Sequence, residues 1–178
     1  PGASHHVLGT SIDLGGDVDV ARWQEAANTV FQSEPGMRLR LVMRDGETAQ
    51  ALDPDARLVT AVVHLDAGSP DLGTWVLDQL AARPNVETDP SFVHAVVRDQ
   101  SGTWHSVLMA PHVFIDGQGF RRFFEQTSRV YEGEGAEAGT SVQPLFAALE
   151  RAGTGVDLAE TVEFWRRRLD GGRRARRA

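Results

Sequence analysis

The chain has 178 residues, 41% of them hydrophobic, and a formal net charge of −7. This length suits one domain or one lobe of a larger domain, and the apolar content favours a packed core over global disorder. The acidic balance argues against nucleic acid or an anionic membrane surface as the main partner. No cysteine is present and all 18 basic residues are arginine, so disulfides, thiolate nucleophiles, catalytic lysines and P-loops are excluded.

The sequence gives no sign of a membrane segment. No apolar run approaches the roughly 20 residues that a membrane-spanning helix needs. The first residues, PGASHHVLGT, lack the basic and then apolar plan of a signal peptide. We therefore expect no membrane partner and a cytoplasmic location.

The first half of the chain predicts a strand, an amphipathic helix, a hairpin and a further strand. The helix has apolar residues at three- and four-residue spacing, can be capped by Asp17 or Asp19, and is stopped by Pro35-Gly36. The hairpin turns at Asp45-Gly46, because an Asp-Gly pair between alternating strands is a strong hairpin signal. In chain order these elements cover residues 5–14, 19–33, 37–44 with 47–53, and 57–66.

The second half predicts a capped helix ended by Pro84, a proline-containing loop, a second hairpin and three further helices. These elements cover residues 71–82, 84–92, 92–99 with 103–110, 121–131, a short helix starting near Pro144, and 156–170. Hairpins without a strict βαβ alternation predict an α+β fold with a mixed, largely antiparallel sheet and flanking helices. We expect residues 1–171 to form one lobe and residues 172–178 to be a basic tail or a cut interdomain segment.

The stretch MAPHVFIDGQGF places a histidine and an aspartate in an apolar segment, between a predicted strand and a helix that begins near Gln118. Buried imidazole and carboxylate groups are costly unless they are paired or used. His112 is the kind of side chain that moves a proton near neutral pH, and Gly117 and Gly119 allow a sharp turn. A histidine in such a segment is also commonly a satisfied core residue, so both interpretations stay open here.

Asp116 has two possible partners. It can fold back toward the imidazole of His112, or it can pair with an arginine and hold the loop in shape. Arg38 and Arg40 alternate on a predicted strand, and either one is a candidate for this charge-assisted pair. A metal site is not predicted, because His94 and His105 have no carboxylates at ligand spacing.

The segment PHVFIDGQGF resembles the H-H-x-x-x-D-G signature of the condensation domains of nonribosomal peptide synthetases. These domains belong to the wider group of chloramphenicol-acetyltransferase-like acyltransferases. The resemblance extends in the right order from about residue 7 to residue 171. Four further segments also resemble the family, namely IDLGGDVDVARWQEAANTVFQSEPGMRLRLV, VETDPSFVHAVVRD, FRRFFEQTSRVYEG and VEFWRRRLDG.

This resemblance implies two chloramphenicol-acetyltransferase-like lobes in a V, of which the chain is expected to be the N-terminal one. The missing C-terminal lobe of the same domain is then a partner. The implied reaction is amide formation between an acyl or peptidyl thioester on one carrier protein and an aminoacyl amine on another. Phosphopantetheine arms of peptidyl or acyl carrier proteins deliver both substrates, so the resemblance implies no metal and no directly bound cofactor.

The resemblance also assigns roles within the loop. His112 aligns with the second histidine of the signature, the active-site residue, and Gly117 with the glycine whose backbone amide assists the thioester oxygen. Asp116 aligns with a structural aspartate. Pro111 replaces the first histidine, which fixes φ and removes an N–H. Ser106 and Met109 on the preceding strand are candidates to face the substrate channel.

Three functions remain open. The leading one is a condensation domain, with a starter, or acylating, subtype favoured. The second is a catalytically degenerate condensation-like domain that acts as a carrier-protein docking or binding module. The third is a related polyketide-associated or epimerising acyltransferase. We expect the isolated lobe to be nearly inactive, because half a site cannot preorganise two large thioester substrates.

Overall fold

The computed structural model of the chain describes residues 7–15, 17–82, 91–139, 141, 143–154 and 158–170. Residues 5–6, most of the loop after Pro84, and the predicted tail 172–178 lie outside the described residues. The chain divides into two compact units, residues 1–140 and 141–178.

The N-terminal unit carries the predicted strands and the first three predicted α-helices. Its described elements, with one 3-10 helix at Pro35–Arg38, are β1 (Val7–Asp13), α1 (Val20–Ser33), β2 (Leu39–Arg44), β3 (Glu47–Leu52), β4 (Thr60–His64), α2 (Leu72–Ala81), β5 (Val93–Arg98), β6 (Trp104–Pro111) and α3 (Gly117–Tyr131). Asp19, Asp71 and Asp116 cap the three α-helices by accepting backbone N–H groups of the first turn.

The strands form a mixed sheet and a separate ribbon. The four-stranded sheet has the order β1-β6-β5-β4, with β6 antiparallel to both neighbours and β4 parallel to β5. The ribbon pairs β2 with β3 across Asp45 (φ 55°) and Gly46 (φ 83°). Both residues are in the left-handed region that a type I′ hairpin turn needs. The predicted α+β class and both predicted hairpins are confirmed.

Helices cover both faces of the four-stranded sheet. On one face α1 and α3 pack with Leu108 and Ala110 of β6. On the other face α2 packs with Val107 and Met109 of the same strand. Because successive strand residues point to opposite faces, β6 is buried without interruption from Ser106 to Pro111.

The α1–α3 layer is the main apolar core of this unit. The apolar positions of the predicted helix begin with Val20, which is half-buried. The others are buried in α1, namely Trp23, Ala26, Ala27, Val30 and Phe31. From α3 the buried aromatic residues are Phe120, Phe123 and Phe124. Burying each side chain of this size contributes about 1.5–3 kcal/mol, so these aromatic residues hold α3 against α1 and the sheet.

The C-terminal unit contains two helices within its described residues, α4 (Gln143–Thr154) and α5 (Leu158–Asp170). Pro144 lies in the first turn of α4, where a missing N–H costs little. Phe164 and Trp165 of α5 form an edge-to-face pair with ring centroids 5.3 Å apart. None of the described helices in either unit is both long and apolar enough to cross a bilayer.

Candidate active site

The segment between β6 and α3, residues 112–116, carries the predicted site. Strand β6 lies between β1 and β5, so its end at Pro111 is firmly positioned. The chain then turns at once, because the N–H of Phe114 donates to the carbonyl oxygen of Pro111 at 3.0 Å. Pro111 is buried and His112 is exposed, so the turn moves the chain from the core to the surface within one residue.

The imidazole of His112 is oriented by the loop itself. Its Nδ1 lies 3.0 Å from the carbonyl oxygen of Ile115. A carbonyl oxygen only accepts hydrogen bonds, so Nδ1 carries the hydrogen and Nε2 of the neutral ring keeps its lone pair. Nε2 has no hydrogen-bond partner among the described residues, and it is therefore available to take a proton from a ligand.

Asp116 is the N-cap of α3. Its Oδ1 accepts the N–H of Gly119 at 2.9 Å. The expected pair with Arg38 or Arg40 is not formed. The Nε of Arg40 lies instead 3.9 Å from Asp53 at the end of the ribbon, and the Nε of Arg38 is buried without a hydrogen-bond partner in the described part of the chain.

The first turn of α3 offers backbone N–H groups next to His112. Since Asp116 takes the N–H of Gly119, the N–H groups of Gly117 and Gln118 stay free of intrahelical partners. These donors lie at the positive end of the helix dipole, which favours a ligand oxygen that gains negative charge. A side chain at Gly117 would meet nothing within 4 Å, whereas one at Gly119 would come 2.6 Å from Cγ1 of Ile115.

A cavity of about 440 Å³ lies against this loop, a size in the usual range for small-molecule sites. His112 lines it, and its apolar wall includes Val30, Met37, Ile115 and Phe123. Its polar residues include Glu34 and Arg122, an ion pair that the sequence analysis missed. The two residues are 88 positions apart, so no local motif connects them.

Ser106 and Met109 do not line this cavity, contrary to expectation, and both are fully buried. The Oγ of Ser106 lies 2.7 Å from Nε2 of His94 and accepts the Nε1–H of Trp23 at 3.0 Å. The other ring nitrogen of His94 lies 2.8 Å from Oγ1 of Thr60. Burial lowers the pKa of His94 to about 4, so this histidine is a neutral core residue while His112 is accessible.

His105 also has a structural partner. Its Nε2 lies 2.9 Å from Oδ2 of Asp99 in the β5–β6 turn. Hydrogen bonds from Ser101 and then from His105 hold the pKa of Asp99 well below its usual range. Within the described ranges no group of three or more His, Cys, Asp or Glu residues has an arrangement that could hold a metal ion.

Three comparisons relate the chain to known proteins. A family model described as "Condensation domain" matches residues 1–175. The nonribosomal peptide synthetase dtxS1 of Metarhizium robertsii is 23% identical over 172 residues, which are 94% of this chain and 2% of that protein.

Solved structures show the same fold. The starter condensation domain of the rhizomide synthetase RzmA superposes with a TM-score of 0.77 at 18% identity, covering 97% of this chain and 44% of that chain. SgcC5 from Streptomyces globisporus superposes with a TM-score of 0.69 at 21% identity, covering 94% of this chain and 40% of that chain. The chain thus spans less than half the length of these solved relatives, which agrees with the expectation of a single lobe.

Proposed function

The chain belongs to the condensation-domain family, and we propose that the domain containing it forms an amide bond between two carrier-bound substrates. The acyl donor is an acyl or peptidyl thioester, and the acceptor is the amine of an aminoacyl thioester. The observation that carries this proposal is His112, which lines the cavity and whose Nε2 makes no hydrogen bond to a described residue. Both substrates arrive on the phosphopantetheine arms of carrier proteins.

In this reaction the amine nitrogen attacks the thioester carbonyl carbon. The new C–N bond forms, the C–S bond breaks, and the nitrogen loses one proton. We propose that Nε2 of His112 accepts this proton from the amine nitrogen and then donates it to the departing thiolate sulfur. The hydrogen bond between Nδ1 and Ile115 keeps the ring in the tautomer that this transfer needs.

The carbonyl oxygen of the donor gains negative charge as the amine attacks. We assign its stabilisation to the N–H of Gly117 at the start of α3, where the helix dipole adds to the hydrogen bond. Asp116 has a positioning role, because it caps the helix that presents this N–H. Pro111 ends β6 and accepts the N–H of Phe114, so it shapes the turn on the other side of His112.

The remaining finer assignments are also proposals. The starter subtype is supported by the RzmA starter domain among the solved relatives. Since the chain covers 44% of that domain, a C-terminal lobe would complete the site, and the isolated chain would be nearly inactive. The domain would act in the cytoplasm with peptidyl or acyl carrier proteins as partners.

The alternative is a docking module that binds carrier proteins without chemistry. Its support is Pro111, which replaces the first histidine of the signature and is buried in the structure. An altered signature of this kind is expected in a domain that has lost its reaction but kept its binding surfaces.

The test is single-turnover amide formation by the intact domain with an acyl-loaded and an aminoacyl-loaded carrier. We expect product from the wild-type domain. Pro111→His is the matched variant. Product from this variant alone would mean that Pro111 inactivates the site. No product from either form, with carrier binding intact, would favour the docking module.

A further inference from the structure

The cavity beside His112 has an ion pair among its apolar walls. Nε of Arg122 lies 3.2 Å from Oε1 of Glu34, and both residues line the cavity. Arg122 also lies 3.5 Å from Glu137 through Nη2. A purely aliphatic ligand would make no hydrogen bond with these charged groups. The ion pair therefore favours a ligand that carries a polar group.

The pair is held in place from both sides. Glu34 is the C-cap of α1, and its N–H bonds to the carbonyl oxygen of Val30 at 3.2 Å. The segment after α3 crosses this helix end, because the N–H of Gly139 donates to the carbonyl oxygen of Ser33 at 2.9 Å. A Cβ at Gly139 would come 2.8 Å from that oxygen, so only glycine fits this approach.

Arg122, which lines the cavity, keeps N–H donors that make no hydrogen bond to a described residue. A guanidinium has five N–H donors, and its contacts with Glu34 and Glu137 among the described residues use Nε and one N–H of Nη2. A ligand that fills the cavity displaces water from the remaining donors and from the Glu34 carboxylate. An aliphatic end leaves these groups without partners, which costs free energy.

The charges around Arg122 select against a charged ligand end. Glu137 is already paired with Arg129 at 2.6 Å and does not line the cavity, so Glu34 and Arg122 are the pair that a ligand end would meet. A carboxylate would be attracted by Arg122 but repelled by Glu34, and an ammonium would be attracted by Glu34 but repelled by Arg122. A neutral carboxamide or hydroxyl meets both partners, since it accepts from Arg122 and donates to Glu34.

We propose that Glu34 and Arg122 select a carrier-bound substrate whose side chain is apolar along its length and ends in a neutral carboxamide or hydroxyl. The proposal rests on the proposed condensation function, which brings such a side chain next to His112. The side chain belongs either to the acyl donor or to the aminoacyl acceptor. Either side chain would present the same end group to the cavity, and the experiment distinguishes the acyl donor from the aminoacyl acceptor.

The test uses the intact domain and two substrate series of matched length. In the donor series the acyl group ends in methyl, carboxamide, carboxylate or ammonium. In the acceptor series the carrier bears norleucine, glutamine, glutamate or ornithine. In the series that occupies the cavity we expect the carboxamide to exceed the methyl form by about tenfold in single-turnover kcat/KM, equivalent to one hydrogen-bonded end group.

Arg122→Leu should abolish this preference. Arg121→Leu is the matched control, because Arg121 does not line this cavity and contacts Gln118 and Glu125 on the outer surface. If Arg122→Leu unfolds, Glu34→Gln keeps the shape and should still weaken the carboxamide preference. Product formation with no preference in either series would overturn the proposal.

Failure of the reaction is distinguishable from failure of the selectivity. Pantetheine analogues with an amide in place of the thioester bind without reacting, and calorimetry measures their affinity for the same intact domain. A carboxamide preference lost in Arg122→Leu supports the cavity assignment even when no amide product forms. Equal affinities for the methyl and carboxamide analogues would overturn it.

Discussion

Nδ1 of His112 lies 3.0 Å from the carbonyl oxygen of Ile115, three residues further along the same loop. This contact fixes the tautomer of the ring, because the carbonyl can only accept. Ile115 is buried, so the carbonyl that orients His112 belongs to a backbone that is anchored in the core. The ring of His112 and the core are thereby coupled through one short loop.

Two glycines of the site should respond differently to alanine. In Gly119→Ala the new Cβ would come 2.6 Å from Cγ1 of Ile115, which must then move together with the carbonyl that holds His112. We expect a loss of about 1–3 kcal/mol in the free energy of unfolding and a large loss of activity. Gly117→Ala should be well tolerated by the fold, because its Cβ meets open space and its N–H remains.

Chemical denaturation and single-turnover rates check this pair of variants. In a double-mutant cycle, Ile115→Ala should relieve part of the damage done by Gly119→Ala, since it removes the clashing atom. Strictly additive effects would contradict a direct clash between these two residues.

Asp116 should be replaceable by asparagine but not by alanine. Its observed role is to accept the N–H of Gly119, and an asparagine oxygen does the same. We expect Asp116→Ala to lower the free energy of unfolding by about 1 kcal/mol and Asp116→Asn to change it little. Equal losses in both variants would instead point to an ionic partner, as in the sequence-based expectation of Arg38 or Arg40.

The buried His94 should make stability pH-dependent. Its pKa in the folded state is about 4, lowered by burial from 6.5. Between these values the unfolded chain binds a proton that the folded chain excludes, so the free energy of unfolding falls as the pH falls from 6.5 toward 4. The full loss is about 3 kcal/mol, from 1.36 kcal/mol per pKa unit, and it is complete below pH 4.

Denaturation at several pH values checks this window, with His94→Asn as the non-titrating variant. The slope between pH 6.5 and 4 should be shallower in that variant than in the wild type. Asp66, Asp71, Asp99 and Glu137 have lowered pKa values, so their stabilisation is present above their ordinary pKa values and is lost as the pH falls below them. Both proteins share this acidic contribution, so the difference between their slopes isolates His94. An unchanged slope in His94→Asn would assign the effect to other groups.

Most of the fold could be predicted because its signals are local. The Asp45-Gly46 turn, the helix-capping Asp19 and the helical spacing that begins with Val20 each act within a few residues. The parallel pairing of β4 with β5 had no such signal. A run of strand-forming residues does not indicate which strand it pairs with. The partner of β4 is β5, which follows only after α2 and a loop.

The candidate site could be predicted only where its residues are close in the sequence. His112, Asp116 and Gly117 lie in one short segment, PHVFIDG, whereas Glu34 and Arg122 meet through the packing of α1 against α3. The partner of Asp116 was misjudged because an aspartate before a helix is equally suited to an arginine and to a cap. Both possibilities satisfy the carboxylate, and the structure favours the cap.

The most direct test of the central claim is the single-turnover rate of amide formation by the intact domain carrying His112→Ala. His64→Ala serves as the control, since His64 is an exposed histidine of β4 that packs edge-to-face on Trp104 with ring centroids 5.3 Å apart. We expect a loss of about a hundredfold or more for His112→Ala, with carrier affinity and unfolding free energy retained, and little change for His64→Ala. A wild-type rate in His112→Ala would show that His112 does not transfer the proton.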